Sequence, residues 1–514
     1  MNGQRLDLKG LTCYYLAFAA SAPGRRLFLL GLSFLILLSL YFIGQLQLPS
    51  AAIQLFEDAN INPHRPSSPG VEGAGVDIDS PADPPASSHF PPHYSDALKL
   101  SLTSSSPKLS DPWAPLSLSE CLFGMPSYYA PCAARRMQDV TVEYAEELIY
   151  PDFEIREPYF ARSEHRLKWR IFAQTCPDYI PRATALDSGW VQYRGQSGQN
   201  FVFHNVRYSV NFGLDSWSPK SCMAPQVETS SMESLSEPLT ANSTVIIAAS
   251  PDSWSFQHFL DRVTHTLAQG RHLSSSLPHV LTGRRPHVRT VQELWAKMGY
   301  TEDHLLHSTS HVEASTLIFA CRAVLIHPWL SLKSLESFGI YHQETSKARN
   351  KLVYMSRSAG GPISNGGRKV VNEEEVLRGI KTFLAQRGRG EELVMFNHQN
   401  FEDVTELFSW FSENVIAVIG PHGGAMINHR WARPQTLVLE FMPTTRIATM
   451  IYEEAAILSQ TYATLMIEPT SPGGTDMLVD VDDVVSLLDK HLGVVGEDPL
   501  RKSYFWRTPG LGFR

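Results

Sequence analysis

Apolar residues recur with two periods along the last third of the chain. Short aliphatic runs at residues 351–355, 393–396, 415–419, 436–441 and 463–467 have the length of strands, and their unbroken apolarity suits strands buried on both faces. Between them the spacing lengthens. Val376, Leu377, Ile380, Phe383 and Leu384 share one helical face, and residues 401–411, 447–458 and 484–492 continue the helical pattern. Asn372 stands at an N-cap position ahead of Glu373, Glu374 and Glu375, whose negative charge suits a helix N-terminus. Strands alternating with helices predict a parallel sheet covered on both faces. Such sheets hold nucleotides beyond the carboxyl ends of their strands.

Upstream the pattern loosens. Residues 244–249 read as a strand. A helix begins near residues 253–262, where Phe259, Val263 and Leu267 recur at a spacing of four. His258 and Asp261, three apart, share a face of it. Residues 316–319 and 323–326 predict two more strands, and residues 334–347 a helix crossing to the second lobe. The composition is globular from about residue 116, so the expected lobes are residues 116–345 and 346–514.

Two N-terminal segments follow neither period. Residues 27–44, in a span reaching 48, carry no charge. At ~1.5 Å rise per residue, roughly 18–20 residues cross a hydrocarbon core. Arg25 and Arg26 precede the span, while Glu57 and Asp58 follow it. The positive-inside rule then predicts a signal-anchor of type II topology, with residues 1–26 cytosolic and the rest luminal. A cleavable signal ending near Ser50-Ala51-Ala52 is the alternative. Residues 49–115 are rich in Pro and Ser and read as a stem that does not fold. Asp77-Ile78-Asp79 within it reads as solvated acid, and Asp480-Val481-Asp482-Asp483 as the acids of a helix N-terminus, so no metal ligand is assigned. In a lumen, Asn242-Ser243-Thr244 is a glycosylation acceptor.

The chemistry concentrates after the run at 415–419. Gly420-Pro421-His422-Gly423-Gly424-Ala425 is too glycine-rich for a helix interior, and it separates that strand from a short helix at 425–431 and the strand at 436–441. A strand, a glycine turn, a helix and a strand make a βαβ unit. Its turn sets free N–H groups where a diphosphate can approach the backbone. Arg357, at the end of the first strand of this lobe, stands at the same carboxyl edge and is suited to bidentate phosphate binding. Glu440 ends the strand after the turn. It is placed either to accept from ribose hydroxyls or to pair with Arg433 or Arg446. His422 is positioned to donate to a phosphate or to face the sugar, and Asn428 to bind a ligand or its own loop.

The stretch containing Gly420, His422, Gly423, Asn428 and Glu440 resembles the C-terminal half of family 61 glycosyltransferases, which include plant xylan xylosyl- and arabinosyltransferases and animal N-acetylglucosaminyltransferases. Gly424 before Ala425 departs from members that pass straight from Gly to Ala. The resemblance extends to Ser356-Arg357, to Arg368 with Asn372 and Glu373, and more thinly to His258 and Asp261. It implies an α/β, GT-B-like fold of two Rossmann-like lobes, and inverting transfer from a UDP-sugar, UDP-xylose or UDP-N-acetylglucosamine, to a glycan or glycoprotein in the Golgi or endoplasmic reticulum. It implies Arg357, Arg368, Asn372, His422, Gly423, Gly424, Asn428 and Glu440 as donor-binding residues, and His258 or Asp261 as the base. A surface arginine and an ordinary N-cap are the alternatives for Arg368 and Asn372; a hydrogen-bonded helix start is the alternative for His258 and Asp261. No cofactor is implied, and a divalent metal is left open.

Composition narrows this modestly. A formal net charge of −8 over 514 residues gives no footprint for nucleic acid. Neither a GxSxG elbow nor an HExxH motif is present, which removes the common hydrolase readings. A membrane-anchored carbohydrate-binding protein without turnover is the competing class. Of the six cysteines, Cys13 precedes the span. The remaining Cys121, Cys132, Cys176, Cys222 and Cys321 predict two disulfides and one free thiol, with Cys121 and Cys132 the easiest pair.

Overall fold

The computed structural model describes residues 110–137, 142–176, 183–186, 188–209, 227–229, 244–249, 254–307, 311–321, 326–340, 348–358 and 367–506. The expected tail, membrane span, most of the stem and Asn242 lie outside them. Among the described residues no helix is long and apolar enough to cross a membrane.

Among the described residues the fold is mixed α/β and built on three sheets. The strands in chain order are β1 (Leu116–Leu118), β2 (Val142–Ile149), β3 (Pro151–Arg156), β4 (Ala183–Ala185), β5 (Trp190–Tyr193), β6 (Ser197–Ser209), β7 (Val227–Thr229), β8 (Thr244–Ile247), β9 (His279–Thr282), β10 (Leu305–His307) and β11 (His311–Cys321), followed by β12 (Lys351–Tyr354), β13 (Glu392–Met395), β14 (Val415–Pro421), β15 (Leu437–Pro443), β16 (Thr461–Ile467) and β17 (Leu500–Trp506). The largest sheet runs β1-β2-β6-β11-β8-β9-β10, with β7 on β6. Its β11-β8-β9-β10 side is parallel, and the β1-β2-β6-β11 side antiparallel. A five-stranded sheet, β13-β12-β14-β15-β16, is parallel throughout. A small antiparallel sheet, β17-β3-β5-β4, takes its edge strand from the end of the chain.

The parallel sheet is covered on both faces, as its unbroken apolar strands predict. Leu352 and Tyr354 pack with Val376, Ile380 and Leu384 of helix Glu373–Arg387 and with Leu487 of helix Val481–His491. Val353 and Met355 face the other way, into a core with Phe408, Phe411 and Trp431. That alternation is the period of two of a strand with no solvent side.

Several boundaries differ from expectation. The packed region begins by Ser110, inside the segment read as stem. Ser110 is buried, with its N–H and hydroxyl on Glu336, and Trp113 joins the core. The helix expected at 334–347 is Pro328–Ser337, started by Pro328 behind His327, whose Nδ1 accepts from the Trp329 N–H. The run at 316–319 is the end of the long β11 rather than a separate short strand, and residues 322–325 lie outside the described set. Cys121 and Cys132 are bonded as expected. Cys176 and Cys321 are also disulfide-bonded, so the expected free thiol is not among the described residues.

Candidate functional site

In the order β13-β12-β14-β15-β16 the chain steps from β12 outward to β13 and then back past β12 to β14. The connections leaving β12 and β14 therefore diverge at their carboxyl ends and open a crevice, the usual ligand position in such sheets. Residues after β12 supply one wall. Ser356 Oγ donates to both oxygens of Glu373, at 3.0 and 2.8 Å, tying the strand end to the next helix. Arg357 Nε donates to the Gly367 carbonyl at 2.9 Å.

The glycine turn after β14 supplies the facing wall. Gly420 has φ +155°, and a Cβ there would sit 2.7 Å from the Met355 carbonyl oxygen. Gly423 is extended, and a Cβ there would collide with Arg357 Nη1. The two glycines thus let β14 approach β12 and let a guanidinium lie against the turn. The expected helix behind it is a 3-10 helix, Gly424–Trp431.

Arg368 enters the same crevice. Its backbone is left-handed, φ 61°, and its side chain is buried. Its N–H donates to Thr475 Oγ1 at 3.0 Å, and the Lys369 N–H to Asp476 Oδ1 at 2.9 Å. These bonds hold the loop against residues 475–479. Arg368 Nε is buried and makes no hydrogen bond. Burial, then Arg357 and Arg446, push the Arg368 guanidinium down to about 9, with Glu440 opposing. Burial and Arg446 likewise lower Arg357, against Asp476. Arg357, which lies against the glycine turn, and Arg368 thus feel the like charge of Arg446, and Arg368 that of Arg357 as well, an arrangement that an anion would stabilise. Arg446 was absent from the expected ligands, although it follows a strand end just as Arg357 does.

Glu440 has a different partner from either expected arginine. It is fully buried, and its Oε1 lies 2.6 Å from His422 Nδ1. Tyr462 donates its hydroxyl to Oε2. Arg433 instead donates to the Ser412 carbonyl at 2.8 Å. Burial and Glu440 together push the Tyr462 phenol well above its ordinary range.

Two expected ligands are committed elsewhere. Asn372 occupies the N-cap position without capping; its amide instead bonds the Val479 carbonyl and N–H at 2.8 and 3.0 Å. Asn428 donates to the Ala425 carbonyl at 2.9 Å and accepts from Trp431 Nε1 at 2.9 Å. Both side chains bond within the fold, the arrangement expected of the alternatives named for them, an ordinary helix start for Asn372 and its own loop for Asn428.

His258 and Asp261 do share a face. Nδ1 and Oδ2 are 3.5 Å apart, and Asp261 is buried while His258 is part-exposed. The helix widens to a π turn at Phe259–Val263, a geometry common at functional sites. The preceding residue reaches the glycine turn: a Cβ on Gly424 would lie 3.5 Å from Gln257 Oε1. From the far end of the 3-10 helix, Arg430 donates to the Leu260 carbonyl at 3.2 Å and pairs with Glu454 at 2.9 Å. Ser331 also donates to Glu454, at 2.9 Å. Burial raises the Glu454 carboxyl despite the pull of Arg430. Gln257, Arg430 and Tyr462 carry no sequence signature. Their roles depend on contacts between distant segments.

Residues 256–439 match a family model described as Glycosyltransferase 61. No curated protein matches the chain significantly. The matched span opens on the helical turn carrying His258 and closes within β15, taking in Arg357, Arg368 and the glycine turn. Over this span the chain is similar to glycosyltransferase family 61, which supports the resemblance first carried by the glycine turn.

Proposed function

We propose that the chain transfers a sugar, with inversion, from a UDP-sugar to a hydroxyl of a glycan or glycoprotein in the secretory pathway. UDP-xylose and UDP-N-acetylglucosamine are the donors to try first. The observation that carries this reading is Arg357, set against Gly423 at the strand-order reversal, together with the like charges of Arg368 and Arg446 that act on it or beside it. Like charges gathered in a buried place raise the energy of the empty site, and a diphosphate relieves them. In the GT-B arrangement proposed here, the donor lies on the parallel sheet and the acceptor approaches from the side of His258.

The acceptor hydroxyl gives its proton to His258 or Asp261. Its oxygen forms a bond to the anomeric carbon as the bond from that carbon to the β-phosphate oxygen breaks. The electron pair leaves on UDP, and the guanidinium groups stabilise its growing charge. The charge of the diphosphate is met by arginines, and no residue is proposed as a metal ligand. A type II anchor and a luminal catalytic region are proposed from the sequence pattern.

The test is thermal shift of the full-length protein against a panel of nucleotide sugars, followed by transfer assays. UDP and one UDP-sugar should raise the melting temperature, and Arg357→Ala should remove the shift. His258→Ala or Asp261→Asn should lower turnover with donor affinity unchanged. Donor binding with no transfer to any hydroxyl acceptor would instead favour the binding protein without turnover.

A further inference from the structure

A fully buried carboxylate sits directly behind the glycine turn, and among the described residues no arginine lies at ion-pair distance from it. Glu440 is bound at every oxygen. Oε1 meets His422 Nδ1 at 2.6 Å, Oε2 accepts from Tyr462, and the backbone carbonyl accepts from Thr464 Oγ1 at 3.0 Å. His422 is buried too, and its own N–H donates to the Phe441 carbonyl at 2.9 Å. The ring is therefore anchored at its backbone and at Nδ1.

An ionised carboxylate only accepts hydrogen bonds. A neutral His422 beside it carries its proton on Nδ1, and Nε2 then presents a lone pair. Among the described residues nothing bonds to Nε2. The next residue, Gly423, lies against the Arg357 guanidinium, so this lone pair borders the cationic crevice. A phosphate oxygen is also an acceptor and cannot satisfy it. A hydroxyl can.

We infer that His422 Nε2 accepts a hydrogen bond from a hydroxyl of the donor, on its ribose or on its transferred sugar, and that Glu440 and Tyr462 are the positioning residues that fix the required tautomer. This rests on the donor reading above. It divides the crevice by chemistry: arginines read the diphosphate, and the His422–Glu440 pair reads a hydroxyl.

Calorimetry on the full-length protein with pyrophosphate, UDP, UDP-xylose and UDP-N-acetylglucosamine tests it. His422→Phe and Glu440→Gln should bind pyrophosphate within about two-fold of wild type and lose about ten-fold for the hydroxyl-bearing ligand, the scale of one hydrogen bond. Loss with UDP and UDP-sugars alike places the hydroxyl on the ribose. Loss with a UDP-sugar but not UDP places it on the sugar. Tyr462→Phe should show a smaller loss of the same pattern, and it keeps the test usable if Glu440→Gln does not fold. Equal loss with pyrophosphate would overturn the inference, because His422 would then be donating to phosphate. Unchanged affinity for every ligand would overturn it as well. Arg357→Ala separates the two layers. If it abolishes pyrophosphate binding while the His422 and Glu440 variants bind everything normally, only the hydroxyl reading fails. A wild-type protein that binds none of the ligands sinks both.

Discussion

Two buried arginine environments stand on either side of the same turn, and they differ in how their charge is met. Arg430, at the far end of the 3-10 helix, has Glu454 at 2.9 Å and the Leu260 carbonyl at 3.2 Å. Its charge is neutralised inside the protein, and it joins the turn to the segment carrying Asp261. Arg368 has two other arginines for neighbours and, among the described residues, no carboxylate at ion-pair distance. Burial alone therefore does not mark a functional charge. A compensated buried ion serves the scaffold, whereas a crowded one is left for a ligand to compensate.

The largest effect should come from breaking the compensated side. Arg430→Met leaves Glu454 buried without its partner, which should cost ~3–5 kcal/mol of stability. Urea unfolding would read this as a lower midpoint at unchanged slope. The double variant Arg430→Met/Glu454→Met should recover most of it. A single variant as stable as wild type would show that Arg430 is not compensating a buried charge.

A second compensated ion makes the comparison pH-dependent. Glu146 is fully buried in β2, and burial alone would raise its carboxyl. His272 at 2.8 Å, with Ser117 and Asn200, outweighs this and lowers it from 4.5 to about 2. The folded state thus holds the proton less tightly than the unfolded one. The stabilisation is complete above pH 4.5 and is lost as pH falls towards 2. Its full size is ~3 kcal/mol. Glu146→Gln should flatten the acid limb of stability against pH between those values, and an unchanged limb would refute the assignment.

Much of this was legible from spacing. The C-terminal sheet follows from apolar runs separated by helical periods, because parallel strands buried on both faces leave a continuous signal. The larger sheet is half antiparallel, and the apolar runs mark only part of its long strand β11 and leave β6 unmarked. In the site, Arg357 and the glycine turn were readable because a strand end and a glycine turn are local features. The His422–Glu440–Tyr462 set was not: Glu440 and Tyr462 come from neighbouring strands, and their pairing depends on the β15–β16 register. The bonding of Asn372 and Asn428 is illegible for a related reason. A polar residue in a motif position has its ligand decided by what packs beside it, here Val479 and Trp431.

The crowded side should respond with the opposite balance. Arg368→Met removes one of three like charges, so the ligand-free protein should unfold at the same denaturant concentration as wild type or higher. Its affinity for pyrophosphate should fall about 30-fold, the scale of charge-assisted hydrogen bonds. A variant that loses stability but keeps its affinity would move Arg368 to the scaffold.

The smallest effects separate two glycines of one turn. At Gly423 an added methyl meets only the tip of Arg357, a flexible group that can swing aside. Gly423→Ala should therefore leave stability unchanged and weaken pyrophosphate binding several-fold, about 1 kcal/mol. At Gly420 the methyl meets the Met355 backbone carbonyl at 2.7 Å, on a residue whose φ is already +155°. Neither the strand nor the carbonyl can swing away, because Met355 N–H donates to the Ile419 carbonyl at 2.8 Å. Gly420→Ala should lower stability by about 1–3 kcal/mol and leave the affinity of the folded fraction intact. If instead Gly423→Ala also destabilised the protein, Arg357 would be fixed by the scaffold rather than poised for an anion, and the contrast between the two arginine environments would lose its sharpest support.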